Sequence, residues 1–381
     1  MYYNHPLFSF NVKMWKYLGF IEFKRINQAL LILIIPCLIN LCQVMNIAYN
    51  WNDMSVIAIG LFMTAILFNA LVRITTVMRN QSKFIEFFEM IEKWYREIEM
   101  GSDEGAWDLL KHIPRRTRLI SILSFSFAAG AAVASATIPL FVEQRSLPYD
   151  MHIPFYDHLK SPMYEILYFM QGFISMPFCV LTYVPFTNLF IAWLTFGISL
   201  LQILRYKLES LPHENDEEML KQLIELIRFH HRIINFGQTL ESLVSFVCLV
   251  ELVLFTLMLC VLLASFLVMD NVMSKIATCI YIFCILYALF IPYWHANEFS
   301  WESTKIADAA YNIKWTRSNI KIRKCIAMLI LRSQTPLKIK AGGIFPMTLE
   351  AFQALLNTTY TYFTMFKGMM GKEPNVHDRD Q

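Results

Sequence analysis

Few side chains here combine chemical reactivity with a setting that would use it. Glu251 is the one carboxylate deep within an apolar run, residues 242–269. An intramembrane acid marks function by default, with a protonated or hydrogen-bonded interior carboxyl as the equal alternative. Glu350 interrupts the last apolar run near its start and either lines an aqueous path or pairs with Lys338 or Lys340. His230 and His231 are adjacent but far from any Cys or acid cluster, which favours a structural role over a metal. The eight cysteines, at 37, 42, 179, 248, 260, 279, 284 and 325, form no CxxC or Cys/His spacing. No Gly-rich phosphate loop and no nucleophile–base constellation occurs. The residues describe no enzyme, no cofactor, no metal and no nucleic-acid partner.

The elements that would position these groups follow from composition. The 381 residues are 56% hydrophobic and 17% charged, with a mean hydropathy of +0.43. Soluble domains carry about a quarter charged residues, so this chain has too little charge to cover a soluble surface. Residues 26–52, 54–72, 119–142, 166–204 and 276–297 contain no Asp, Glu, Lys or Arg. Residues 242–269 and 341–366 each contain one, Glu251 and Glu350. About 20 apolar residues cross a bilayer core, so the sequence predicts seven spans in an all-α polytopic membrane protein. The long fourth stretch is one helix bent at Pro177 or Pro185, or else a hairpin that would make eight.

Charge decides between these. With seven spans and a cytoplasmic amino terminus, the inner segments hold 4, 9, 5 and 9 basic residues, 27 of the 33 Lys and Arg. A hairpin would invert the last 14. The positive-inside rule therefore favours seven spans, with the amino terminus cytoplasmic and the carboxyl terminus extracellular. Rhodopsin-like G-protein-coupled receptors have the opposite orientation. Residues 1–19 are polar and aromatic, unlike a cleavable signal peptide, so the first span is expected to direct insertion.

The inner loops read as helices. Phe84, Phe87, Phe88, Ile91, Trp94 and Tyr95 recur at helical spacing, and residues 217–240, 303–315 and 319–332 continue the pattern. These cytoplasmic extensions either pack on one another or form a bundle that holds subunits together.

The carboxyl third carries the most specific signal. The run from Leu329 to Phe352 includes Phe345-Pro-Met-Thr-Leu-Glu350, and Tyr360-Thr-Tyr-Phe363 follows within residues 355–365. Together they closely resemble the last-span signature of insect odorant receptors. The stretch from His230 to Glu241, and Glu298, Glu302-Ser303, Tyr311 and Trp315, resemble weaker patterns of the same family. The related gustatory receptors share the topology, but these runs look like the odorant branch, and the chain lacks the long inner insertion of the shared co-receptor.

The resemblance implies a ligand-tuning subunit of an odorant-gated, non-selective cation channel. It implies a tetramer with odorant co-receptor subunits in the plasma membrane of a sensory-neuron dendrite. It also implies three parts: residues 1–294 with spans 1 to 6, the odorant pocket and inner-loop helices; 295–340 as cytoplasmic anchor helices; 341–381 as pore-lining helix and outer tail. The polar tail 372–381 departs from the family and has no assigned role. Read physically, Thr358, Thr361, Tyr362, Met365 and Met369 share one side of the last span, hydroxyls giving way to apolar sulfur side chains. Apolar rings can close a pore by dewetting; ordinary helix packing is the alternative. The pocket candidates are Ile59, Phe62, Met63, Ser135, Phe169, Phe173, Met176, Tyr281, Cys284 and Tyr287. Such a set, apolar with a few hydroxyls, suits a small volatile, apolar or weakly polar ligand. The rivals are a gustatory-type channel, a G-protein-coupled receptor and a secondary transporter. The last would show repeated halves, which are not visible.

Overall fold

The computed structural model describes residues 7–21, 26–51, 54–141, 145–153, 159–212, 215–269 and 272–370. In order, these form α1 (Ser9–Tyr17), α2 (Ile26–Tyr49), α3 (Met54–Arg79), α4 (Gln81–Glu99), α5 (Glu104–Leu110) and α6 (Ile113–Thr137). Then come α7 (Met163–Phe169), α8 (Met176–Glu209), α9 (Asp216–Val268), α10 (Val272–Asn312), α11 (Ile320–Ser333) and α12 (Leu349–Met370). Two-residue strands β1 (Lys340–Ala341) and β2 (Phe345–Pro346) precede α12. Among the described residues, six helical stretches are long and apolar enough to cross a membrane. α12 is not one of the six, because Asn, Gln, Thr and Tyr side chains dilute its apolar character. The tail 372–381 lies outside the described residues.

Residues 163–209 run as one helical path of 47 residues rather than a hairpin. Its irregularity is a π-helical turn at Met170–Ser175, just before Pro177. Proline has no N–H and its ring crowds the carbonyl four residues back, and a widened turn in that place relieves both problems. α8 then packs against α10, α6 and α9 and is the central column. α9 spans 53 residues, so the amphipathic stretch near 217–240 and the apolar stretch after it are one continuous helix.

The last apolar run does not begin its helix at 341. Gly342 and Gly343 take positive φ, 63° and 73°, and turn the chain between β1 and β2. Such φ values suit glycine and interrupt a helix. Ser245 of α9 fastens this turn: its backbone carbonyl accepts from the Gly342 N–H at 2.9 Å, and its hydroxyl donates to the Lys340 carbonyl at 2.8 Å. α12 starts only at Leu349, where the Thr348 hydroxyl oxygen accepts from the Ala351 N–H at 3.2 Å as an N-cap. The side-chain oxygen of Asn297 on α10 accepts from the Leu349 N–H at 3.2 Å.

The end of the bundle that carries α4, α5, α11 and the long extensions of α9 and α10 is its basic end. The apolar stripe of α4 is buried there within the chain. Phe84, Phe87 and Phe88 surround the fully buried Trp193 of α8, with Phe87 edge-on at 5.3 Å. Phe87 also stacks on Phe236 of α9 at 5.1 Å. Gly197 lets α8 approach closely, since a Cβ there would lie 2.8 Å from Phe299 and 2.9 Å from Phe236. α1, unforeseen in the sequence, seals this core's edge: Trp15 is fully buried and donates its indole N–H to the Leu181 carbonyl at 3.1 Å.

Candidate functional site

Glu251 has a partner the sequence reading did not supply. The charge of Arg73 suggests that the second span ends at Val72, but α3 continues to Arg79 and carries Arg73 into the bundle, only 2% exposed. Its guanidinium donates to Glu251 Oε1 at 2.7 Å, Thr187 Oγ1 at 2.5 Å, Asn69 Oδ1 at 3.1 Å and the Tyr183 carbonyl at 3.0 Å. The Tyr183 hydroxyl donates to the same Glu251 oxygen at 2.7 Å, and the guanidinium lies 3.8 Å from the Tyr183 ring centre. A buried pair of this kind is stable only when its remaining donors and acceptors are satisfied, and here α3, α8 and α9 share that task. The network joins three helices at one level.

Beyond it, away from the basic end, lies a second apolar cluster. Phe62 of α3 stacks on Tyr281 of α10 at 4.3 Å. Phe255, Met258, Leu259 and Leu262 of α9 fill the space between, and Met63 and Cys284 pack at its margin. Four of the ten pocket candidates thus meet. Tyr183 touches this cluster and the main core alike, and so does Phe352 of α12, while Leu355 of α12 packs on the cluster. The cluster is therefore in contact with both the ion-pair network and α12.

The other candidates are placed differently. Met176 is buried and Ser135 half-buried, but neither packs in this cluster. Phe169 and Phe173 stack on each other at 5.1 Å and are both exposed, Phe173 at 69%. Tyr287 is 58% exposed. The side chain of Ile59 lies outside the described residues.

α12 is two-sided. Phe352, Leu355 and the buried Thr359 face the bundle. Gln353, Asn357, Thr358, Thr361, Tyr362, Thr364 and Met365 are exposed along the other face. The hydroxyls of Thr358 and Thr361 donate to the carbonyls of Ala354 and Asn357, at 2.8 and 2.9 Å. The side chain of Met369 lies outside the described residues. Glu350 is exposed and has no ion pair with Lys338 or Lys340 among the described residues.

Long apolar helices around a buried polar network define a multi-pass helical membrane protein. Residues 53–360 match the family model described as 7tm Odorant receptor. Odorant receptor 10 of Aedes albopictus is 35% identical over 367 residues, covering 95% of this chain and 97% of that protein. Odorant receptor Or2 of Anopheles gambiae is 33% identical, covering 95% and 97%. The fold superposes on the insect olfactory receptor OR5 from Machilis hrabei, solved in complex with eugenol, with a TM-score of 0.78 and 18% identity, covering 91% of this chain and 90% of that one. The chain belongs to the insect odorant receptor family.

Proposed function

We propose that this chain is the ligand-tuning subunit of an odorant-gated, non-selective cation channel. It sits in the sensory-dendrite plasma membrane as a seven-span protein, with the basic end in the cytoplasm and α12 as the seventh span. The observation that carries the reading is the exposed face of α12. The hydroxyls of Thr358, Thr361 and Thr364 on this face are returned to backbone carbonyls of α12. A helix at membrane depth that turns the side-chain amides of Gln353 and Asn357 away from its own bundle leaves polar groups in hydrocarbon unless water or another subunit meets them. A central aqueous path lined by one α12 per subunit supplies both, with Met365 and Met369 as its apolar constriction.

Assembly is with odorant co-receptor subunits into a heterotetramer. Exposed Trp301 and Tyr311 on α10 and Met328 and Leu331 on α11, at the basic end, support an anchor there between subunits. The ligand is a small volatile, apolar or weakly polar molecule held near Phe62, Met63, Tyr281 and Cys284; the remaining candidates, Ile59, Ser135, Phe169, Phe173, Met176 and Tyr287, would frame its access. Contact of Phe352 and Leu355 with this cluster supports direct transmission to the pore helix. The test is a recording from excised patches with and without the co-receptor. Odorant is expected to evoke cation current without added GTP and only with the co-receptor present. A strict requirement for nucleotide would return the chain to the G-protein-coupled reading.

A further inference from the structure

A groove of about 720 Å³ runs along the outside of the bundle, with α3 as its floor and α2 and α9 as its walls. Leu41 and Val44 of α2, Phe68 of α3 and Phe246 of α9 line it, and all four are exposed within the chain. Its other end is polar: Thr75, Arg79 and Asn80 at the end of α3, and Ser242 of α9. Arg79 is exposed and has no ion pair or hydrogen bond among the described residues. This contrasts with Arg73, six residues earlier on the same helix, whose guanidinium makes four hydrogen bonds.

The dimensions identify the occupant. Phe68 and Arg79 are eleven residues apart, about 16 Å along a helix, which is roughly half of a ~30 Å hydrocarbon core. Along α3 the groove therefore covers about one leaflet, cationic at the headgroup level. Leu41 and Val44, between the Asn40–Thr64 and Ile47–Gly60 contacts, continue its apolar lining past the bilayer middle. We infer that it binds one anionic glycerophospholipid from the leaflet on the basic side. The phosphate would sit on Arg79 with Asn80 and Thr75 beside it, and an acyl chain would lie along Phe68, Phe246 and Leu41. An arginine fork matches a phosphate in charge and geometry. The zwitterionic phosphatidylcholine has the same phosphate but a trimethylammonium that repels the guanidinium, so the choice of an anionic lipid rests on net headgroup charge. The basic loops at this end would attract the same headgroups. The inference depends on the chain lying in a membrane, and not on which ligand opens the channel.

The full-length chain, purified in detergent, is titrated with phosphatidylserine or phosphatidylcholine of matched acyl chains, and bound lipid is counted by native mass spectrometry. Phosphatidylserine should be retained over phosphatidylcholine. Arg79→Gln should weaken its retention roughly tenfold, the scale of one charge-assisted hydrogen bond. Arg118→Gln, exposed on α6 at the same end but off the groove, should leave it unchanged. Leu41→Trp, which fills the apolar half, should weaken both lipids. Soluble glycerophosphoserine should not displace the lipid. Equal binding of the two lipids, equal effects of Arg79→Gln and Arg118→Gln, or displacement by the soluble headgroup would each overturn the inference.

Discussion

The two ends of the bundle are built from similar residues and packed to different standards. At the basic end, aromatic rings from α4, α8, α9 and α10 close around Trp193 and the glycine gap at residue 197. At the other end, α8 gives way to a π turn, and Phe169, Phe173 and Tyr287 turn outwards. The buried Ser175 hydroxyl and Gln43 amide there have no hydrogen-bond partner among the described residues, and neither has the Trp193 indole N–H at the basic end, so unpaired polar groups do not separate the two ends. Dense packing resists deformation, whereas a widened helix turn leaves room for rearrangement. On the proposed function, a ligand acts at the end with the π turn, the loose end, and the aromatic core at the basic end, the tight end, holds the helices in register. The Arg73–Glu251 network is the seam between the two ends.

Breaking the seam should have the largest effect. Arg73→Met leaves Glu251 buried without its counter-charge, with only the Tyr183 hydroxyl still donating to it, at a cost of about 3–5 kcal/mol, and surface expression should collapse. Arg73→Met combined with Glu251→Met should recover much of it. If the double variant is no better than the single, the pair is not a closed unit and the seam is misdrawn.

The tight end has its own sensor. Burial, then the neighbouring charges of Arg332 and His231, hold His230 down at about 4. Above about pH 6.5 the folded and unfolded chains both carry it neutral. Between 6.5 and 4 only the unfolded chain gains the proton, so stability falls on acidification by up to about 3 kcal/mol. Thermal unfolding at pH 7.5 and pH 5 should show about 2 kcal/mol of that loss, and His230→Gln should reduce it. An unchanged acid shift in His230→Gln would assign the sensitivity to other groups.

A smaller effect sharpens the loose end. Tyr281 stacks on Phe62, while Tyr287 is mostly exposed. Tyr281→Ala should shift odorant potency about three- to tenfold, the scale of one aromatic pair, and Tyr287→Ala should shift it little. The reverse ranking would move the pocket to the outer face of α10.

Much of the tight end was legible in the sequence. The stripe from Phe84 to Tyr95 contrasts with charged neighbours, so its period identifies the buried face. The loose end was harder for a physical reason. In a membrane both the lipid-facing and the bundle-facing side of a helix are apolar, so spacing joins Phe169 to Phe173 without saying which way they face. Arg73 was missed because a charge at the edge of an apolar run normally ends a span, and its partner lies 178 positions away. The late start of α12 was readable in Gly342, Gly343 and Pro346, but the apolar residues around them outweighed those signals. Pro177 announced an irregularity in the fourth stretch without giving its form.

On the proposed function, the exposed face of α12 meets water in a conducting pore. Single cysteines at Thr358, Thr361 and Met365 on that face, and at Phe352, Leu355 and Thr359 on the buried one, can be probed with a charged thiol reagent during odorant-evoked current. Cysteines at 358, 361 and 365 should react and alter the current, faster when odorant is present. Those at 352, 355 and 359 should stay silent. Reaction confined to 352, 355 and 359 would contradict the account, because the pore would then lie on the side of α12 that packs against its own bundle.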